Sequence, residues 1–386
     1  MIALLIIIYI GFISLGLPDP LLGALWPVMS VSLGASAPSA GIISFIICLG
    51  TIISSLISNR LHGKFRAGTI VLASVFSMAA ALLGISFARS FVFVCICAVP
   101  LGLGAGGVDT ALNNFVAKHY KAAHMSWLHC FWGVGATITP IITSVFIGQG
   151  DNWQGGYRVI AVIQLMICVV LLASLPLWKK AELRSSAPSQ PDSHMVTNRE
   201  VLRVRGVMPA LAGFACYCGC ESAMGLWAAS FLVTAKGVDT ETAARWASLF
   251  YIGITVGRGL CGIIALRVPS RLLIRCGCAL AAVGAVMLFL PVSNIFSFAG
   301  LILIGFGVAP YYPCMMHETP RRFGEKYAGA AVGLQMATAY SGSLLIPPVI
   351  GFVCGNLSFM IYPLIILGLA AGALFFSERA GWASRD

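Results

Sequence analysis

The chain has 386 residues, 59% of them hydrophobic and only 10% charged, with a mean hydropathy of +0.93. Soluble domains carry about 25% charged residues, so this composition belongs in lipid. The net charge of +11 would suit a nucleic-acid binder, but most of the cations sit in short loops between apolar stretches, the pattern that orients membrane proteins.

A span needs about 20 mostly apolar residues. Twelve segments qualify, near 2–30, 37–59, 67–88, 91–117, 124–148 and 157–178, then 206–234, 242–266, 272–291, 294–317, 326–353 and 357–377. The opening Met1-Ile2-Ala3-Leu4-Leu5 has no basic leader and no small-residue cleavage site follows, so it reads as a retained first helix.

The first span carries Gly11-Phe12, then Asp19 eight residues after the glycine, Gly23 four further on and Trp26 just beyond. A carboxylate inside a span is a functional hypothesis by default. Asp19 lies between Pro18 and Pro20, where a helix loses backbone hydrogen bonds, and broken helices at membrane depth are tolerated where they line a cavity. The competing reading makes Asp19 a kink residue capping freed N–H groups. In the fourth span the glycines from Gly102 to Gly107 suit close helix contact. Asp109 follows, with Asn113 one turn later on its face and Asn114 alongside. Asp109 is expected to load and release a proton; its alternative is a permanent hydrogen bond to neighbouring helices. His129 and Trp132 share a face of the fifth span, and Gln164 lies in the sixth. Amides in lipid need partners, so Gln164, like Asn113 and Asn114, is a candidate solute contact.

Residues 179–205 include Ser185-Ser186-Ala187-Pro188-Ser189-Gln190-Pro191-Asp192. This polar stretch reads as a cytoplasmic linker between an N-terminal bundle, 1–178, and a C-terminal bundle, 206–386. The seventh span then repeats the first: Gly213-Phe214, Glu221 eight residues after that glycine, Gly225 four further on, and Trp227. Glu221 is expected to bind solute or, alternatively, to pair with Arg258 of the eighth span. Arg258 is expected to gate the inner end near Glu318, which closes the tenth span. Trp26, Trp132, Trp227, Tyr311 and Tyr312 could wall a sugar ring or simply pack, and Gln335 joins the amide candidates.

The repeat continues. Gly102-Leu103-Gly104 leads to Asp109 as Gly305-Phe306-Gly307 leads to Tyr312, and Gly135 precedes Pro140 as Gly342 precedes Pro347. These pairs keep a register near 202–207 residues, which points to two related halves with a site between them. The expected fold is all-α and integral to the membrane, with twelve transmembrane helices in two six-helix pseudo-symmetric bundles. Lys and Arg fall nineteen on one side (among them Arg60, Lys64, Arg66, Arg267, Arg271, Arg275, Arg321 and Arg322) against four on the other, Arg89, Arg158, Lys236 and Arg245. That split places both termini and the linker in the cytoplasm.

With these motifs the chain resembles the major facilitator superfamily over its whole length. Within it, the chain resembles the fucose–galactose–glucose proton symporters, through Gly16-Leu17-Pro18-Asp19, the run Asp109-Thr110-Ala111-Leu112-Asn113-Asn114-Phe115-Val116, and Gly257-Arg258-Gly259. The resemblance implies that Asp19 and Asp109 couple transport to protons. Two departures stand out. The loop after the second span reads Asn59-Arg60-Leu61-His62-Gly63-Lys64, without the superfamily's usual acid before Arg, and the antiporter pattern of the fifth span is degraded around Thr139-Pro140.

The thirteen cysteines lie mostly inside spans with no zinc spacing and read as reduced packing residues. No phosphate loop, nucleophile elbow or His-Glu-x-x-His run is present, so neither an enzyme nor a cofactor or metal is expected. The expected function is proton-coupled uptake of a small neutral sugar by a monomer in the plasma membrane, the inner membrane of a bacterium, with no nucleic-acid partner. A sodium-coupled symporter, an exporter of apolar compounds and a non-transporting sensor are the alternatives.

Overall fold

The computed structural model describes residues 2–62, 64–120, 122–184 and 197–383. The first span is two helices, α1 (Ile2–Gly16) and α2 (Leu21–Ser32), broken over Leu17 to Pro20 as the prolines around Asp19 require. There follow α3 (Ala40–His62), α4 (Ala67–Ile85), α5 (Phe91–His119), α6 (Ala122–Gly148) and α7 (Trp153–Arg184). The expected linker begins inside α7, which continues past residue 178, and its centre, 185–196, lies outside the described residues. A short α8 (Asn198–Arg203) leads into the second half, with α9 (Val207–Lys236), α10 (Thr240–Ile264), α11 (Ser270–Phe289), α12 (Asn294–Val308), α13 (Tyr311–Phe323), α14 (Glu325–Asn356) and α15 (Tyr362–Ala383).

The tenth span is also two pieces, which the sequence reading did not anticipate. Pro310 has no N–H for the carbonyl four residues back, so α12 stops at Val308 and α13 restarts at Tyr311. Helix ends elsewhere follow local chemistry. Ser90 accepts from the Phe93 N–H to start α5, and Asp239 accepts from Thr242 N at 2.8 Å to start α10. That bond holds the Asp239 carboxyl, which lies outside the span, below its ordinary pKa. Gly206 and Gly237, both at positive φ (+86° and +65°), bracket α9.

Eleven helical segments are long and apolar enough to cross a membrane among the described residues. The twelfth is α9, whose 30 residues reach about 45 Å at 1.5 Å per residue but which carries Glu221 in its centre. The result is twelve spans in two six-helix halves.

The halves meet through α6 on α10, α3 on α14 and α2 on α9. Close packing along these lines runs from the middle of the molecule to the end away from the termini. A Cβ built on Gly23 would lie 2.0 Å from the Gly225 carbonyl oxygen. One on Gly41 would lie 2.8 Å from Pro348, and one on Gly148 would meet the Glu241 carboxylate. This end is shut. Asp19 lies on the other side of the Gly23–Gly225 contact and its side chain is exposed, although Gly16, Leu17, Pro18 and Pro20 around it are buried. The space it faces therefore opens toward the end that carries the termini.

A valine at position 23 should hold the shut end apart, because a Cβ and an oxygen need about 3.5 Å. Spin labels at the exposed Val31 and Val292, one on each half, should move apart by at least about 2 Å in Gly23→Val. An unchanged distance would mean that α2 and α9 do not set the closure.

Candidate functional site: the polar cavity between the halves

Three acids reach the space between the halves, each with a different partner. Asp19, free of helical pairing at the break, accepts a 2.6 Å hydrogen bond from the Trp132 indole N–H. The crossing of α1 and α6 places that ring: a Cβ at Gly16 would lie 2.0 Å from the Trp132 carbonyl oxygen, and one at Gly135 would lie 2.4 Å from that of Ile13. The backbones are in contact, which only glycine permits here.

Asp109, half-buried on α5, is held by neutral donors alone. Asn113 Nδ2 donates to Oδ1 at 2.8 Å and to the Asp109 backbone carbonyl at 2.9 Å, while Tyr340 Oη donates to Oδ2 at 3.1 Å from α14 in the other half. Asn114, next along α5, is half-buried. Glu221 has a cation. Arg258 Nη2 lies 3.0 and 3.2 Å from its two carboxylate oxygens and 3.2 Å from Tyr217 Oη, which itself donates to Glu221. The pair is largely buried, with side chains 13% and 18% exposed. Of the two expectations for Glu221, the geometry realises the ion pair.

Arg258 also lies over the Trp132 ring, 5.2 Å from its centroid. His129 is half-buried, edge-on to Phe12 at 5.5 Å and tilted against Tyr312 at 5.8 Å. Tyr251 closes on Trp132 at 6.2 Å. The structure thus brings together Asp19, Asp109, Asn113, His129, Trp132, Glu221, Arg258 and Tyr312.

Four expected residues sit elsewhere. Trp227 is fully buried with its indole N–H on the Pro347 carbonyl at 2.8 Å, so it is packing and walls no cavity. Gln164 is buried and donates to the Ser14 carbonyl at 2.6 Å, bracing α7 to α1. Gln335 is buried and accepts from Thr319 at 2.9 Å. Glu318 does not meet Arg258: it lies 3.7 Å from Arg322 and 3.9 Å from Arg321 in its own helix. Each of the four meets a neighbouring protein group instead of the cavity, although Gln164 Oε1 and Gln335 Nε2 are buried without a hydrogen-bond partner among the described residues.

The sequence reading missed Tyr217, Tyr251 and Tyr340. Tyr217 carried a signal, since it stands four residues before Glu221 on one helix face. Tyr340 carried none, because its partner lies 231 residues away. Among the described residues no group of His, Cys, Asp and Glu could hold a metal ion.

The Major Facilitator Superfamily model matches residues 2–347. The chain belongs to this superfamily. Among its relatives is the glucose/mannose transporter GlcP of Bacillus subtilis, 24% identical over 356 residues, which span 89% of this chain and 86% of that one. Among solved structures, the nucleoside transporter NupG superposes with a TM-score of 0.76 at 12% identity, covering 97% of this chain and 98% of that one. FucP, in its outward conformation, superposes with a TM-score of 0.66 at 15% identity over 97% and 98%. The protein is a multi-pass membrane transporter of this superfamily, not an enzyme, and its fold is the twelve-helix fold these structures share.

Removing one member of the Glu221–Arg258 pair strands the other. Breaking a fully buried pair costs about 3–5 kcal/mol, and the residual exposure here reduces that to about 2–3 kcal/mol. Arg258→Leu should lower the Tm of the detergent-purified transporter by several degrees, and the double variant Glu221→Gln/Arg258→Gln should recover most of the loss. A double variant as unstable as the single would show that the pair is not the source.

Proposed function

We propose that this transporter takes up a small neutral sugar together with protons, with Asp109 and Asp19 as the proton-carrying groups. The observation that carries the reading is the partner set of Asp109. A carboxylate bonded only to Asn113 and Tyr340 can gain or lose a proton without leaving a cation unpaired. Glu221, by contrast, is paired with the cation Arg258 in a poorly solvated place. The Tyr340 bond joins the two halves, so a change of charge on Asp109 alters a contact that alternating access has to break.

The charge balance supports a neutral solute. Among the described residues that meet in the cavity, three carboxylates stand against one guanidinium that is already paired, which suits a neutral solute better than an anion. The amides of Asn113 and Asn114, the His129 ring and the faces of Trp132 and Tyr312 offer directional and stacking partners for hydroxyls and a pyranose ring. Solute hydroxyls would also compete for the exposed edge of the Glu221–Arg258 pair. The likeness to GlcP favours a hexose over a nucleoside. With both termini in the cytoplasm of a plasma membrane, as the Lys and Arg distribution indicates, the shut end faces outward and the conformation is inward-facing. Each proton entering would then contribute about 2.3 kcal/mol per 100 mV.

Purified protein in liposomes, given an acidic exterior, should accumulate labelled glucose or mannose, and uridine should not compete. Asp109→Asn should abolish accumulation while leaving solute exchange within about tenfold, since only the proton step needs a titratable group. Accumulation driven by sodium alone would overturn the proton assignment. Competition by nucleosides but by no monosaccharide would overturn the sugar.

A further inference from the structure

Trp132 touches the two halves with two different parts of one side chain. Its N–H is bonded to Asp19 in its own half, and its ring face carries Arg258 of the opposite half at 5.2 Å. We propose that Trp132 is a positioning residue that transmits the charge state of Asp19 to Arg258, and so to the contact between α6 and α10.

The coupling is electrostatic. A hydrogen bond to an ionised carboxylate is roughly twice as strong as one to a neutral acceptor, so an ionised Asp19 pins the indole in place. A carboxylate on the N–H also pushes electron density into the ring, deepening the negative face on which the guanidinium rests. Neutralising Asp19 weakens both effects together. The ring is then less firmly held, its attraction for Arg258 falls, and Arg258 is left to Glu221 and Tyr217 within its own half.

Other groups surround this line without replacing it. Asp109 and Glu221 act on Asp19 through space, and Tyr251 faces both Asp19 and the Trp132 ring. Around Arg258 stand Glu221, Tyr217 and Tyr312, with His129 and Cys130 on the facing helix. Of these, Trp132 alone is in direct contact with both ends of the line. A ring that merely walled the solute cavity would need neither its N–H on an acid nor its face under a cation of the other half.

The proposal rests on the proton-coupled reading only in naming a proton as the agent that neutralises Asp19. The link itself is testable without solute or gradient. Hydrogen exchange of the full-length transporter in lipid nanodiscs, followed by mass spectrometry, reads the protection of α10 amides from Thr255 to Ile264. Asp19→Asn should speed their exchange about tenfold, the scale of one charge-assisted contact.

In a Trp132→Phe background, which keeps the ring and removes the donor, the same Asp19→Asn change should leave α10 within about twofold of Trp132→Phe alone. Trp132→Gln keeps a donor and removes the ring, cutting the line at its other contact. It should silence the effect equally, so either background suffices if one folds poorly. Unchanged α10 exchange in Asp19→Asn, or an equal rise in the Phe and Gln backgrounds, would overturn the role of Trp132. Failure to transport a sugar would bear on the substrate and leave this result standing.

Discussion

An ionised side chain cannot lie against hydrocarbon without a partner or water, and much of this architecture follows from how three acids meet that constraint. Glu221 has a cation one helix away. Asp19 has a break in its own helix and a cavity in front of it. Asp109 has an amide and a phenol as its hydrogen-bond partners. Each solution fixes backbone as well as side chains: α9 stays continuous through Glu221, α1 and α2 separate around Asp19, and α5 and α14 are held together at Asp109.

The repeat builds the cavity, and departures from it distinguish the acids. Asp19 and Glu221 occupy equivalent positions, yet the first span is broken and the seventh is not. Asp109 and Tyr312 are also equivalent, and there the second-half member lies next to the break, just after Pro310. Each of these two pairs therefore contains one interrupted and one continuous helix, with the interruptions in opposite halves. An interruption frees backbone and side chain to face an aqueous space, while a continuous helix supplies a fixed frame. Equivalent placement did not give equivalent chemistry, because the prolines that decide it are not repeated.

Much of the fold was legible in the sequence, because span length and the glycine register are properties of the chain itself. The break at Asp19 was legible for the same reason, through its two prolines. The site was legible where a partner lay one helical turn away, where the repeat marked an acid, and where a span's acid had a span's cation to pair with, Glu221 with Arg258. Trp26 and Trp227 show how the repeat misleads: both are buried, and both spend their indole N–H on a backbone carbonyl, of Ala37 and Pro347 respectively. That pattern recurs because it packs the two halves alike. Trp132 has no such symmetry mate in the reading, and the residues that define its use, Asp19 and Arg258, lie 113 and 126 positions away. Gln164 and Gln335 looked like solute contacts because an amide needs a partner, and neighbouring helices supplied one.

The distribution of bond strengths between and within the halves bears on how such a molecule can move. The ion pairs Arg258–Glu221, Arg271–Glu378 and Arg275–Glu378 each lie within the second half, and the Trp132–Asp19 bond lies within the first. Contacts across the divide are of a weaker kind: a ring under Arg258, a phenol on Asp109, the Thr137–Thr255 pair at 3.4 Å and glycine backbones in contact. A cation–π contact contributes about 0.5–2 kcal/mol and a single hydrogen bond about 1 kcal/mol. Rigid halves joined by bonds of this size can separate at one end if comparable contacts form at the other. Charge on Asp19 or Asp109 changes two of these cross-contacts, and a shift of about one or two kcal/mol is comparable with each of them.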